Sequence, residues 1–195
     1  MNVNTSAGQS GFRLWFGHFL LALCAVFLVA CQHTPPQCQN PDTAALLRLI
    51  DQRLAVAPLV AQAKWNSGAP IDDPVREKQI LDSVTRQAAE AGLNAAFAQR
   101  FFQAQFDAGK LIQRKLHEQW RTEKHAPFSP VPDLARDVRP VLDELTPQLI
   151  AALIKIYPQH DNAAFKTDLA AQSKLGIRGD VDGVARTMAR QLLWD

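Results

Sequence analysis

The stretch Leu49-Ile50-Asp51-Gln52-Arg53-Leu54-Ala55-Val56-Ala57-Pro58-Leu59-Val60-Ala61-Gln62-Ala63-Lys64-Trp65 decides how the chain is read. Its apolar positions recur at helical spacing, and Arg53 and Lys64 stand eleven residues apart. Eleven steps of about 100° return to within about 20° of the starting direction, so the two cations share one stripe of a helix. At about 1.5 Å of rise per residue they lie roughly 16 Å apart, too far to serve one oxygen but near enough to reach opposite ends of a small anion. The spacing fits equally well two cations that snorkel from a buried helix.

Upstream of this stretch, Arg13 precedes the apolar run Phe19 to Ala30, whose 12 residues suit a signal h-region. A spanning helix needs about 20. Residues 1–30 therefore read as a signal peptide and 31–41 as a polar tether. Leu28 is a poor residue three positions before an ordinary cleavage after Ala30. Leu28-Val29-Ala30-Cys31 instead resembles a bacterial lipoprotein box, with Cys31 as the acylated first residue, and the alternative is a simple secreted form. Both export the chain. Cys24 is lost with the signal, and Cys38 is unpaired if Cys31 carries lipid; otherwise those two could close a short loop in an oxidising compartment. No C-x-x-C occurs and the five His residues are scattered, so no metal is expected.

The 195 residues, 47% apolar, suit one well-buried core. A formal charge of +2 without any basic block argues against nucleic acid. Abundant Ala, Leu and Gln favour helix. The expected class is all-α, a bundle of about six helices, with caps and breakers placing them at 42–66, 73–91, 94–123, 134–157, 161–175 and 180–193. Asp42 and Asp161 are expected N-caps, as are Asp72 or Asp73 and Asn94. Pro58 predicts a modest kink within the first helix. Arg76 sits in the first turn of the second helix, the less favoured end for a cation, with Asp73 as its expected partner. On the third helix Phe97, Phe101, Phe102 and Phe106 read as core. Gln105, Gly109 and Gln113 share a polar stripe beside them, and a mid-helix Gly costs about 1 kcal/mol relative to Ala. Either another helix packs closely there or a ligand approaches.

Arg53, the step to Lys64-Trp65, Pro70-Ile71-x-Asp73-x-x-Arg76-Glu77 and then Gln113 on a long helix together resemble the all-helical, type II-like chorismate mutases. The export signal and Asp133-Leu134-x-x-x-x-Arg139-Pro140-x-Leu142-Asp143-x-Leu145 are similar to the secreted, periplasmic gamma subclass. Similarity is strong over 42–121 and weaker over 132–152. The resemblance implies an isomerase that rearranges chorismate to prephenate within one molecule, in aromatic amino-acid biosynthesis, with no cofactor. It implies a catalytic helical region at 42–125 and a C-terminal helical region at 132–195 that completes the pocket.

Carried over by position, Arg53 and Arg139 clamp carboxylates, Arg76 binds near the ring carboxylate, and Lys64 and Gln113 meet the ether oxygen. Asp73 and Glu77 address the substrate hydroxyl, with Gln79 a weaker candidate. Arg139 supplies in cis what related dimers take from a partner chain; a homodimer is implied by resemblance alone. Membrane attachment is expected only through Cys31. One departure is Gly109, where relatives usually have Ser or Thr, so a hydroxyl donor is missing. A Gln at 113 donates at any pH, so this group predicts no loss of activity from mildly acidic to mildly alkaline conditions. The rival reading is a non-catalytic exported helical lipoprotein with a structural or anion-binding role.

Overall fold

Asn40 sets where the first helix begins. Its Oδ1 accepts from the Asp42 and Thr43 amides at 3.0 and 3.5 Å, and Pro41 takes the first position, where a missing N–H costs nothing. The cap is thus Asn40, not Asp42. The computed structural model describes residues 40–174 and 181–193. The signal run, Cys24, Cys31, Cys38 and nearly all of the tether lie outside the described residues.

Among those residues all regular secondary structure is helical, with α1 at Pro41–Ala55, α2 at Ala57–Ser67, α3 at Pro74–Glu90, α4 at Ala95–Thr122, α5 at Arg139–Ile156, α6 at Ala163–Lys174 and α7 at Val181–Arg190. A π-helical turn, Leu134–Val138, leads into α5. The expected first helix, 42–66, is two helices. In a continuous helix the residue-58 amide would bond the Leu54 carbonyl, and Pro58 has no hydrogen to give. The ladder stops at Ala55, Val56 bridges, and the Leu59 and Val60 amides start afresh on the Val56 carbonyl at 3.0 and 3.2 Å. What was expected as a kink is a restart.

The other expected elements lie within a few residues of their predicted ends. Asp73 and Asn94 cap α3 and α4 by accepting from the Arg76 and Phe97 amides at 3.1 and 2.9 Å. Gly68 and Gly92 follow α2 and α3 with positive φ, +69° and +76°, which a residue without Cβ adopts freely. At α6 the cap is Asn162 rather than Asp161, its Oδ1 taking the Ala164 and Phe165 amides. Pro140 marks where α5 truly starts, and Pro147 lies inside that helix.

The 28-residue α4, about 42 Å long, is the axis of the bundle. It packs against α1, α2, α3 and α7, while α1 also packs on α5 and α7. Phe101, Phe102, Ile112, Leu46, Ile50, Leu149, Leu153, Phe165 and Leu169 form one continuous core. Ala185 and Ala189 of α7 are fully buried, and their small side chains let the α7 backbone come close enough for Gln105 Nε2 to donate to the Ala189 carbonyl at 2.6 Å.

The end of α7 is clamped by charge. Arg190, 3% exposed, donates to Asp51 Oδ1 of α1 at 2.5 Å and to the Ser173 carbonyl of α6 at 2.7 Å. Removing the carboxylate leaves the buried Arg190 with the Ser173 carbonyl, and because Asp51 is partly exposed, Asp51→Ala should lower unfolding stability by about 1–3 kcal/mol. A shifted urea midpoint with unchanged native helicity by circular dichroism checks this.

Candidate active site

The break at Val56 and the turn after Gly68 place the ends of α1 and α2 against α4, with α3 and α5 closing the sides. Between them lies a cleft of about 150 Å³, many times the ~15 Å³ that one water requires. Leu54, Val56, Ala57, Val60, Ile71, Phe106 and Val138 supply apolar walls. Arg53, Lys64, Asp73, Arg76, Glu77, Gln113 and Arg139 all line it, so the structure brings together every expected site residue but two. Gln79 is exposed and lines a neighbouring surface hollow instead, which it shares with Arg76 and Ile80. Cys31 lies outside the described residues.

Each cation is held differently. The Arg53 guanidinium sits 5.2 Å over the Phe106 ring, and its Nε is buried without a partner. Burial pushes Arg53 down to about 10, partly opposed by the charge of Asp143. It stays cationic at neutral pH. Lys64 Nζ donates to the Ile71 carbonyl at 2.7 Å. Burial pushes its pKa below the ordinary value, the carboxylates of Asp73, Glu77 and Asp72 oppose this, and Arg139 adds to it. Both are thus desolvated cations in a concave site, the circumstance in which a fixed charge acts most strongly on a ligand.

Three lining residues were not read as site residues from the chain alone. Lys110 Nζ pairs with Glu77 at 2.9 Å and Asp107 at 3.1 Å; burial by itself would lower its pKa, and those hydrogen bonds hold it above the ordinary value. Gln105 is 1% exposed with Oε1 unpartnered. Asp143, not Asp73, pairs with the Arg76 side chain, Nη2 to Oδ1 at 3.3 Å. Lys110 follows Gly109 directly, a local signal, whereas the Arg76–Asp143 pairing spans 67 residues and has none.

Counting charged side chains on the lining, Arg53, Lys64, Arg76, Lys110 and Arg139 face Asp73, Glu77 and Asp143. The excess is two positive charges. Gln113 is 7% exposed with its Oε1 buried and unpartnered. At Gly109 a Cβ would meet nothing within 4 Å, so close helix packing does not explain the glycine; the space opens on the cleft.

The chain resembles known proteins over most of its length. Residues 43–114 match the family model described as chorismate mutase type II. A secreted chorismate mutase of Mycolicibacterium smegmatis is 30% identical over 153 residues, 77% of this chain and 83% of the relative. The chain belongs to the chorismate mutase family. A secreted chorismate mutase of Yersinia pestis is 30% identical over 102 residues, 52% of this chain and 54% of the relative. Among solved structures, the chorismate mutase of Burkholderia thailandensis superposes with a TM-score of 0.71 at 35% identity, over 79% of this chain and 99% of that one.

Family membership leaves the state of Lys64 to direct measurement. Because the pKa of a cation is lowered, its proton is lost earlier as pH rises. Heteronuclear NMR of the lysine ammonium groups, assigned with a Lys64→Met variant, should show Lys64 titrating below the exposed lysines.

Proposed function

We propose that this cleft is where the isomerase converts chorismate to prephenate, with its own side chains as the only catalytic groups. The observation that carries the assignment is the charge excess of two on an apolar-walled cleft, since chorismate is a dianion. Arg53 and Arg139 take carboxylates, with the guanidinium fork setting geometry as well as energy. Arg76 takes the ring carboxylate. Together they hold the substrate in its compact form, so that the reacting carbons meet without further loss of freedom.

In the rearrangement the ether C–O bond breaks as a new C–C bond forms, and negative charge gathers on the ether oxygen. Lys64 and the Gln113 amide meet that oxygen. Their interaction is stronger in the transition state than in the ground state, which is the difference that accelerates the reaction. Asp73 and Glu77 address the hydroxyl. Asp73 is well suited, because its cap on the Arg76 amide fixes its position. All these groups line the cleft from one chain, and this supports the role of Arg139 in cis.

Export is supported by the run Phe19 to Ala30 and by the relatives named as secreted. Acylation of Cys31 would tether the enzyme outside the cytoplasm. Mass spectrometry of the mature N-terminus should find a lipid-modified Cys31, and a mature chain starting elsewhere would end that proposal.

Purified protein should consume chorismate and release prephenate. Lys64→Ala should lower kcat by about 10²–10³-fold, the usual effect of removing one donor to a developing oxyanion. Arg53→Lys should lose at least about tenfold in kcat/KM, because an ammonium does not reproduce the fork. Both variants should keep native helicity. Wild-type rates in both would remove the site assignment, and no turnover by the unmodified chain would remove the reaction.

A further inference from the structure

Of the three carboxylates on the cleft, two are already committed. Asp73 caps α3 through the Arg76 amide, and Glu77 takes the Lys110 ammonium. Asp143 is different. It stands on α5 one turn after Arg139, and its described partner is a substrate-facing cation, Arg76. The adjoining surface hollow is bounded by Gln79, Ser83 and Gln87, and it shares Arg76, Ile80, Asp143 and Thr146 with the cleft. The Arg76–Asp143 pair therefore lies on the boundary between the inner cleft and the outer hollow, with side chains 37% and 61% exposed.

We propose that Asp143 is a resident counter-ion at the cleft mouth, a residue that sets affinity by holding Arg76 in the empty site and exchanging it with a ligand carboxylate. The inference rests on the reading of the cleft as the chorismate site. In the empty site Asp143 keeps the guanidinium near its working place and lessens its repulsion with Arg53 and Arg139. A bound dianion takes Arg76 over, and Asp143 recaptures it as the product leaves. No covalent step is involved. The partial exposure of the pair suits the task, because exposed ion pairs are weak and exchange readily, whereas a buried pair would resist displacement. The placement also accounts for a carboxylate on the wall of an anion site, where it otherwise only repels the ligand.

The test is Asp143→Asn, which removes the charge and keeps the shape, beside Asp143→Glu, which keeps the charge. For D143N the KM for chorismate and the inhibition constant for prephenate should both fall, by about three- to fivefold as for loss of a partly exposed pair, while kcat does not rise. D143E should stay within about twofold of the parent on both. A KM that is unchanged or higher in D143N overturns the proposal, since Asp143 would then be inert or would orient Arg76 for binding. Equal behaviour of D143N and D143E also overturns it. Calorimetric titration of prephenate reads the same contrast without turnover. Prephenate binding without turnover would remove the reaction and leave Asp143 to be judged on affinity, and absence of both would remove the two together.

Discussion

Five cations share one small cleft, and the fold depends on managing their repulsion. Like charges repel more strongly in a partly desolvated site than in water, and Arg139 accordingly helps to lower the pKa of Lys64. Three carboxylates offset part of this, and each is placed by a different device: a helix cap at Asp73, a lysine pair at Glu77, an arginine pair at Asp143. What remains is a surplus of two. A bound dianion completes the neutralisation, so substrate binding and relief of internal repulsion are the same event.

Part of the site is steadied by α4. It presents Phe101, Phe102, Ala108 and Ile112 to the core and Gln105, Gly109 and Gln113 to the cleft, so one rigid element sets both packing and site. Arg53 rests on the Phe106 ring of the same helix. Side chains with few neighbours would sample many rotamers; these are confined before a ligand arrives, which lowers the entropic cost of binding.

Much of this was legible in the chain because the governing signals are local. Caps, glycines and prolines act within a few residues, and the six expected helices lie close to their observed ends. Where two capping residues stood near each other, at Asn40 and Asp42 or at Asp161 and Asn162, local pattern did not separate them; the structure places the cap hydrogen bonds on the asparagine in both. The restart at Val56 was read as a kink because pattern alone does not say whether a proline bends a ladder or ends it. The candidate site was legible through family resemblance, and seven of its residues share the cleft. Gln79 does not; it lines the adjoining outer hollow. The pairing of Arg76 with Asp143 was invisible, since it exists only once α3 and α5 lie side by side.

The restart at Val56 also alters what sets the distance between Arg53 and Lys64. On one continuous helix that distance would be fixed by pitch. Here the two cations end separate hydrogen-bonded ladders, and although both touch α4, their main seats differ: α1 on α5 and α7, α2 on α4. Asp51, two residues before Arg53, is tied to Arg190 at the far end of the described chain. Repacking around α6 and α7 therefore reaches the Arg53 side of the cleft through Asp51 as well as through α4. The spacing between the two cations is thus a dimension set by how separate helices pack.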